Sequence, residues 1–295
     1  MASNQELTAS ALFDFRGAVA VVTGGGTGIG LMCAQALANN GAKVYIAGRR
    51  LSALDAAVKA HGSTLQNGGA LVPVQADITD KASIAELVKQ VSAREKQVDV
   101  LVNNAGIDGP TNNVEAGNEG AQQLHDELWQ IEPKEWLDVY NTNVVGHFFT
   151  TVAFLPLLSA ATARKPGYSA AVVNISSISG ITRTTQHHFA YNVSKSAAIQ
   201  LTTMLAQELS RPGVKVRVNS IAPGLFPTEM TTDESDEHQK SHMPAGDDFR
   251  ENKGVPAGRA GRDQDMAQAV LMLAANQYAN GQTVAIDGGY LLRHP

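Results

Sequence analysis

The feature that most constrains this chain is a glycine-rich turn between an apolar run and a segment of helical composition. Residues 23–30 read Thr-Gly-Gly-Gly-Thr-Gly-Ile-Gly, after the apolar run 17–22 and before the segment 31–37. A strand that enters a helix through such a turn can hold a pyrophosphate on backbone N–H groups. Glycine suits these positions because a side chain would block the close approach. The spacing G-x-x-x-G-x-G differs from the commonest dinucleotide fingerprint, so an ordinary glycine-rich turn stays open as an alternative.

Composition limits the class of protein. With 295 residues, of which 43% are hydrophobic, the chain can bury a sizeable core without disulfides. The single cysteine, Cys33, excludes an intramolecular disulfide, and its apolar neighbours predict a packed thiol in a reducing compartment. A net charge of −5 and the lack of a basic cluster argue against a nucleic-acid partner. Neither a signal-peptide pattern nor an apolar run of about 18 residues occurs, so we expect a cytoplasmic protein without a membrane segment.

Short apolar runs alternate with amphipathic segments along the whole chain. We predict strands at 18–23, 43–47, 70–75, 99–103, 170–175, 215–220 and 283–286. We predict helices at 29–39, 51–60, 81–95, 134–160, 188–210 and 263–275. Buried strands that alternate with helices indicate a doubly wound α/β fold, with one parallel sheet covered on both faces. No linker divides the pattern, so residues 1–295 are predicted to form a single domain after a polar lead of about 15 residues.

Two polar segments interrupt this alternation. Residues 107–132 hold a short predicted helix at 122–129, and residues 226–257 contain the acidic run 233–238. Both segments follow predicted strands and therefore leave the carboxyl edge of the sheet, where open α/β folds bind ligands. Loops of this length are usually lids or disordered segments. We interpret them as substrate lids, with solvated decoration as the alternative, and the acidic run as a solvated surface.

The end of the second predicted strand carries information about a nucleotide. Residues 44–47 run into Gly48-Arg49-Arg50, about 20 residues beyond the glycine turn. An acidic residue at this place would bind the ribose 2′-hydroxyl of NAD, whereas arginine suits the 2′-phosphate of NADP. The pair therefore favours NADP(H) over NAD(H). The alternative is a pair of surface arginines at the start of a helix.

Tyr191 and Lys195 are spaced i, i+4 and therefore share one face of a predicted helix. An ammonium near a phenol favours the phenolate and should lower the pKa of Tyr191 from its usual value near 10. Tyr191 could then exchange a proton with a carbonyl or alcohol oxygen. An ordinary surface pair is the alternative. The face that the two residues share differs from an apolar stripe on the same helix, formed by Val193, Ala197, Leu201 and Met204.

Further motifs follow in a fixed order. They are Asn103-Asn104-Ala105-Gly106, Asn143-Val144-Val145-Gly146, Ser176-Ser177-Ile178-Ser179-Gly180, Tyr191-Asn192-Val193-Ser194-Lys195 and Pro223-Gly224. Together with the glycine turn, they resemble the classical short-chain dehydrogenase/reductase family, from about residue 15 to Gly289. The resemblance implies a Rossmann-type fold and hydride transfer between a nicotinamide coenzyme and a ketone or secondary alcohol.

The resemblance also implies a catalytic set. Tyr191 is the acid or base, and Lys195 lowers its pKa and holds the nicotinamide ribose. Ser177 bonds the substrate oxygen; we choose it over Ser176 because Ser177 begins the Ser-x-x-Gly pattern of the family. Asn143 is expected to bend its helix and hold a water that relays protons to Lys195.

A larger set is implied for the coenzyme. Asp77 matches a position that bonds adenine, although it also neighbours a helix N-cap at Asp80, and Thr27 lies where many NADP-preferring members carry a basic residue. His187 and His188 are adjacent and lack partners at ligand spacing, so no metal site is predicted. Two locations stay open for these histidines: the mouth of the pocket and plain exposure to solvent. The implied coenzyme-binding residues are Gly24, Thr27, Gly28, Ile29, Gly30, Arg49, Arg50, Asp77, Asn104, Ala105, Gly106, Tyr191, Lys195, Pro223, Gly224 and Thr228.

We therefore expect an NADPH-dependent reductase that converts a ketone to a secondary alcohol. Arg259-x-Gly261 and Asp287-Gly288-Gly289 resemble 3-oxoacyl-thioester reductases, and a cyclic or aromatic ketone of specialised metabolism is an equal candidate. The helices at 134–160 and 188–210 form dimer faces in many relatives, which implies a dimer or tetramer. Two alternatives remain: an enzyme of the same fold that performs isomerisation or cyclisation, and a nucleotide-sensing binding protein.

Overall fold

A seven-stranded parallel sheet forms the centre of the protein. The computed structural model describes residues 2–164, 166–232, 234–243 and 247–294. The strands lie in the order β3-β2-β1-β4-β5-β6-β7, and every pairing is parallel. Their bounds are β1 Val19–Thr23, β2 Lys43–Gly48, β3 Ala70–Gln75, β4 Val100–Asn103, β5 Ala171–Ile175, β6 Arg217–Pro223 and β7 Thr283–Ile286. The predicted fold class is therefore confirmed.

Helices connect the strands on both faces of this sheet. The strand order reverses between β1 and β4, which opens a crevice at the carboxyl edge. The α-helices of the described residues are α1 Ala9–Leu12, α2 Gly28–Asn39, α3 Leu51–His61, α4 Lys81–Ser92, α5 Ala121–Trp129, α6 Pro133–Tyr140, α7 His147–Arg164, α8 Phe189–Leu209, α9 Glu229–Thr232, α10 Asp247–Glu251 and α11 Asp263–Ala275.

Two apolar clusters fill the spaces between the sheet and its helices. Val22 of β1 packs in one cluster with α2, α3 and α11, whereas its neighbour Val21 packs in the other with α4, α7 and α8. Successive strand side chains point to opposite faces, so a strand that is covered on both faces reads as a continuous apolar run. Cys33 of α2 is fully buried in the first cluster, and burial raises the pKa of its thiol to about 12. It is the packed thiol that the sequence predicts.

The segment predicted as one helix at 134–160 differs in detail. Residues Asn141–Gly146 form a π-helical turn between α6 and α7, and Pro156 lies inside α7. Short π-helical turns often occur at functional sites. The whole helical stretch Pro133–Arg164 is, among the described residues, the one helix long and apolar enough to cross a membrane by length and composition. The full burial of Phe154 and Leu158 against the sheet indicates a core helix.

The two long segments after β4 and β6 are partly helical. The first contains a 3₁₀ turn at Val114–Asn118 and α5, which agrees with the helix predicted at 122–129. The second contains α9 and α10. Asp233 of the acidic run and residues 244–246 lie outside the described residues.

Candidate active site

A cavity of about 570 Å³ lies at the carboxyl edge of the sheet. The ends of β1, β2, β4, β5 and β6 and the start of α9 form its walls. Gly30 and Asn143 do not line this cavity. The predicted residues that do line it are Gly24, Thr27, Gly28, Ile29, Arg49, Arg50, Asp77, Asn104, Ala105, Gly106, Ser177, Tyr191, Lys195, Pro223, Gly224 and Thr228.

The glycine turn is packed so closely that side chains have no room. Gly24 has a φ of +63°, and a Cβ there would lie 2.7 Å from the Asn104 Nδ2 atom. A Cβ on Gly30 would lie 2.1 Å from the carbonyl oxygen of Gly24. Gly30 therefore packs the helix against the turn, whereas Gly24 and Gly28 leave backbone open to the cavity.

The start of α2 is open to an anion. Thr27 caps this helix in an extended conformation, and its side chain makes no capping hydrogen bond. The first N–H groups of a helix have no acceptor within the helix. They therefore offer donors toward the cavity, and the helix dipole favours a negative charge there.

Asn104 holds the crevice together. Its Nδ2 donates to the carbonyl oxygens of Thr23 at 3.0 Å and Gly24 at 3.1 Å. Its backbone N–H donates to the Thr23 Oγ1 atom at 3.0 Å. The amide of Asn104 thus ties the end of β4 to the glycine turn, and the backbone of Ala105 and Gly106 borders the cavity.

The two arginines after β2 differ in their surroundings. Both are exposed at the cavity wall. The Arg50 Nη2 atom pairs with the Glu229 Oε2 atom at 2.5 Å. Glu229 comes from α9, so Arg50 is held by the long segment that follows β6, a contact that the sequence does not reveal.

Asp77 is one of the residues that line the cavity. Its Oδ1 accepts hydrogen bonds from the Thr79 backbone N–H at 2.9 Å and the Thr79 hydroxyl at 2.7 Å. Asp80 caps α4 by accepting from the Ala82 N–H. The local turn therefore uses one oxygen of Asp77.

The two adjacent serines after β5 have separate environments. Ser176 Oγ lies 2.7 Å from Ser220 Oγ and donates to the Ile221 carbonyl, so it bonds β5 to β6. Ser177 begins the 3₁₀ turn Ile178–Gly180 and accepts from the Ser179 N–H at 3.1 Å. Ser177 and Tyr191 both line the cavity, and the Ser177 hydroxyl is near enough to the Tyr191 phenol to lower its pKa.

Tyr191 and Lys195 both face the cavity from α8. The Lys195 Nζ atom lies 5.5 Å from the centre of the Tyr191 ring and donates to the Ile175 carbonyl at 3.0 Å. Burial lowers the pKa of Lys195 to about 8. Burial also raises the pKa of Tyr191 to about 12, although the Ser177 hydroxyl opposes that change.

The expected lowering of the Tyr191 pKa is therefore wrong for the protein as this structure describes it. Desolvation of the phenol is the largest cause of its raised pKa, and the charge of Asp108 acts in the same direction. Burial lowers the pKa of the Lys195 amine to about 8, so most of it keeps its charge at neutral pH. A spacing of four residues predicts proximity, but it does not predict the polarity of the surroundings.

The face of α8 that carries Tyr191 and Lys195 differs from the apolar stripe, as predicted, and it is the stripe that is exposed. The buried side of this helix carries Ser194, Lys195 and Ala198. Two members of the predicted apolar stripe are exposed, Val193 by 50% and Met204 by 57%. Lys195 is therefore on the buried face, because its Nζ reaches the carbonyl end of β5.

Asn143 stands in the π-helical turn and is fully buried. Its Oδ1 accepts from the Ile107 N–H at 2.9 Å, and its Nδ2 donates to the Ile107 carbonyl at 2.8 Å and to Ser194 Oγ at 3.0 Å. A Cβ on Gly106 would lie 3.0 Å from Asn143 Oδ1 and 3.5 Å from Lys195 Nζ. The two side chains therefore border the same space beside Gly106.

Sequence reasoning missed His147, one turn beyond Asn143. It is buried, its Nε2 bonds the Ala105 carbonyl at 2.8 Å, and its Nδ1 has no partner. Burial, together with the charge of Lys195, lowers the pKa of His147 to about 4. An ionisable residue within an apolar helix was the available signal.

The segment before α8 is fastened to the first long segment. Gln186 and His187 both have positive φ values, 49° and 64°. The buried Asn112 donates its N–H to the His187 carbonyl at 2.7 Å, and its own carbonyl bonds His187 Nδ1 at 3.1 Å. The His188 ring lies 6.4 Å from that of Tyr191. Neither histidine lines the cavity described above.

The segment after β6 closes the site from the other side. The Gly224 N–H donates to the Ile286 carbonyl at 2.9 Å, which fixes the end of β6 against β7. A Cβ on Gly28 would lie 3.1 Å from the Thr228 methyl group. Thr228 and Glu229 thus contact the glycine turn and Arg50 respectively.

Comparison with known proteins agrees with this architecture. A family model described as short chain dehydrogenase matches residues 18–239. The chain is 37% identical over 288 residues to short-chain dehydrogenase/reductase PhomF of Diaporthe leptostromiformis, a match that covers 97% of this chain and 95% of that protein. It is 35% identical over 284 residues to the rhamnolipids biosynthesis 3-oxoacyl-(acyl-carrier-protein) reductase of Pseudomonas aeruginosa, with 95% and 98% covered.

A solved structure shows the same similarity in three dimensions. The Pseudomonas aeruginosa RhlG/NADP active-site complex superposes with a TM-score of 0.77 at 31% identity, covering 95% of this chain and 98% of that chain. Residues 18–239, which the family model matches, include the glycine turn and the helix that carries Tyr191 and Lys195. This chain therefore belongs to the classical short-chain dehydrogenase/reductase family of oxidoreductases.

Proposed function

We propose that this protein is an NADPH-dependent reductase that converts a ketone to a secondary alcohol. The observation that carries the proposal is the convergence of Ser177, Tyr191 and Lys195 on the cavity that the glycine turn also borders. The reaction needs a proton donor beside the site of the nicotinamide ring, and Tyr191 is the titratable hydroxyl of that cluster.

The residues present fit a dinucleotide. Gly24 and Gly28 line the cavity without side chains, so their backbone is open to a ligand. The open start of α2 suits the pyrophosphate. Arg49 and Arg50 stand at the wall where the family binds adenosine, and they suit a 2′-phosphate. When bound, NADPH supplies the hydride that reduces the carbonyl carbon.

The protein groups would handle the carbonyl oxygen. A pKa of about 12 keeps Tyr191 protonated at neutral pH, so it is ready to donate its proton to that oxygen as negative charge develops. The Ser177 hydroxyl donates a second hydrogen bond to the same oxygen. Lys195 holds the nicotinamide ribose, and Asn143 holds a water that returns protons to Lys195.

The long segments after β4 and β6 are proposed as substrate lids within one domain. The substrate class that we propose is a 3-oxoacyl compound or a cyclic or aromatic ketone, because the Pseudomonas aeruginosa relative is named as a 3-oxoacyl reductase. We also propose a cytoplasmic homodimer or homotetramer, assembled through α7 and α8.

A ketone panel tests the proposed reaction. The purified protein is incubated with NADPH and 3-oxoacyl, cyclic and aromatic ketones, while the absorbance of reduced nicotinamide is followed. We expect rapid, ketone-dependent oxidation with at least one member of the panel. Tight NADPH binding with equally slow oxidation in every case would instead indicate a nucleotide sensor.

Replacement of Tyr191 tests the role of its phenol. Tyr191→Phe should lower reduction by roughly 10²- to 10⁴-fold, because the general acid is lost, while NADPH binding stays largely intact. Tyr278→Phe removes a fully exposed phenol and serves as the matched control. Normal turnover by Tyr191→Phe would exclude Tyr191 as the acid.

A further inference from the structure

Arg50 is already engaged in an ion pair at the place where we expect a 2′-phosphate. The Arg50 Nη2 atom lies 2.5 Å from the Glu229 Oε2 atom, and the other carboxylate oxygen, Oε1, accepts from Ser235 Oγ at 2.8 Å. The Glu229 side chain is 28% exposed, and the contact with Arg50 holds the pKa of its carboxyl below the usual value despite burial. Glu229 is therefore a charged, oriented carboxylate.

This carboxylate belongs to the segment that closes the cavity. Arg50 follows β2, whereas Glu229 begins α9, and both side chains line the same cavity. Thr228, the neighbour of Glu229, contacts Gly28 of the glycine turn. The start of the second long segment thus spans from the glycine turn to the arginine pair, on the wall where an adenosine would lie.

An anion that approaches Arg50 must share it with Glu229. A guanidinium can bind a phosphate through two parallel hydrogen bonds, but Glu229 occupies the Nη2 side of this fork. Among the described residues, no carboxylate pairs with the Arg49 guanidinium. The hydrogen bond of Arg49 is made by its carbonyl, which accepts from Gln75 Nε2.

We propose that Glu229 is a specificity-determining residue that competes with the adenosine 2′-phosphate for Arg50. Glu229 thereby weakens binding of the phosphorylated coenzyme relative to the unphosphorylated one, and phosphate binding frees Glu229 and the start of α9 from Arg50. The proposal rests on the proposed NADPH preference. It goes further by assigning a role to an acidic residue outside the reacting groups.

Adenosine fragments isolate this effect from hydride transfer. We would measure the affinities of adenosine 2′,5′-bisphosphate and of 5′-AMP by calorimetry, in the wild type and in Glu229→Gln. Glu229→Gln should tighten the bisphosphate about three- to fivefold, as expected for a partly exposed ion pair, and leave 5′-AMP unchanged. Glu237→Gln, whose side chain is 88% exposed on the same segment, removes an equal charge and should change neither affinity.

A double-mutant cycle separates competition from simple repulsion. Arg50→Met should weaken the bisphosphate, and adding Glu229→Gln to Arg50→Met should then give no further tightening. An unchanged or weaker bisphosphate affinity in Glu229→Gln alone would overturn the proposal. Tightening that persists in full without Arg50 would also overturn it, because Glu229 would then act on the phosphate directly.

The same data distinguish this inference from the proposed coenzyme. If the wild type prefers the bisphosphate and Glu229→Gln has no effect, the inference fails alone. If only Glu229→Gln prefers the bisphosphate, the inference holds and the NADPH preference fails. If neither protein prefers it and Glu229→Gln does not tighten it, both are overturned.

Discussion

At the scale of single residues, burial sets the protonation of the candidate site. Tyr191, Lys195 and His147 all lie where the strand ends meet the helices, and burial is the largest cause of each pKa change. Burial disfavours a charged form, so the phenol retains its proton while the amine and the imidazole lose theirs more readily. The pKa of each of the three groups is therefore shifted toward its neutral form, which suits the uncharged carbonyl substrate that we propose.

The buried His147 should make the protein sensitive to acid. Its pKa of about 4 lies below the unfolded value of about 6.5, so the unfolded chain binds the extra proton between these pH values. The contribution of neutral His147 to stability is therefore complete above pH 6.5 and is lost as the pH drops toward 4. Between pH 7 and 4.5, the free energy of unfolding of the wild type should fall by about 2 to 3 kcal/mol more than that of His147→Gln.

Urea unfolding at several pH values checks this expectation. Glutamine is chosen because its amide can donate to the Ala105 carbonyl in place of the imidazole. Parallel stability curves for the two proteins would show that His147 does not titrate between its folded and unfolded states as described.

Arg49 should discriminate between the two coenzymes. It is exposed beside the cavity, and its guanidinium is the cation there that Glu229 does not hold. Arg49→Ala should weaken NADPH by about tenfold and leave NADH nearly unchanged, because a charge-assisted contact to phosphate is lost. Lys59→Ala removes an equal charge from α3, the helix that follows Arg49 and Arg50, and should affect neither coenzyme. Equal weakening of NADPH and NADH in Arg49→Ala would contradict the 2′-phosphate assignment.

At the scale of elements, three connections are packed together at the crevice. The glycine turn, the end of β4 and the start of α9 touch through Asn104 and Thr228. The hydrogen bonds of Asn143 to Ile107 join the π-helical turn to the segment after β4 in the same way. Coenzyme binding should therefore depend on packing between elements as well as on direct contact.

Gly30 provides the sharpest test of that packing. A Cβ there would lie 2.1 Å from the Gly24 carbonyl oxygen, so Gly30→Ala must displace the turn from α2. We expect at least a tenfold loss of NADPH affinity together with a lower melting temperature. Gly213→Ala is the control, since nothing lies within 4 Å of a Cβ at that position. Wild-type affinity in Gly30→Ala would show that the turn can move without consequence.

At the scale of the whole molecule, apolar side chains remain exposed on two long helices. Phe148 and Val152 of α7 are spaced i, i+4, and Val193 and Met204 of α8 are exposed on another helical stripe. Exposed apolar patches of this kind often mark contacts between proteins. This arrangement supports the proposed dimer or tetramer.

A charge placed on the α8 stripe tests the proposed assembly. Sedimentation should give a dimer or tetramer for the wild type. Met204→Glu should shift it toward monomer, because burying an unpaired carboxylate in an apolar contact is costly. Ala85→Glu, at an exposed position on α4, is the control. A wild-type monomer at micromolar concentration would exclude the assembly.

Much of the architecture could be predicted because it depends on local pattern. The seven strands lie within a few residues of their predicted positions, since a strand buried on both faces must be a continuous apolar run. The motifs at the ends of β1, β4, β5 and β6 converge because parallel strands present their carboxyl ends at one edge. The cavity position therefore followed from the order of strands and turns.

The contacts within the site could not be predicted in this way. The pairing of Arg50 with Glu229 joins positions 179 residues apart, and only the folded chain brings them together. The same holds for Asn143 with Ser194 and for the partnerless nitrogen of His147. Periodicity carries no information about such long-range pairs.

The sequence by itself determined the family, the parallel sheet and the residue types gathered at its carboxyl edge, because apolar periodicity and motif spacing are local properties of the chain. The tertiary structure alone decided which of those residues line the cavity and which instead hold the surrounding segments together by packing and hydrogen bonds. It also decided the direction of the Tyr191 pKa. The physical reason is that desolvation and charge pairing depend on every atom around a group, and those atoms come from distant parts of the chain.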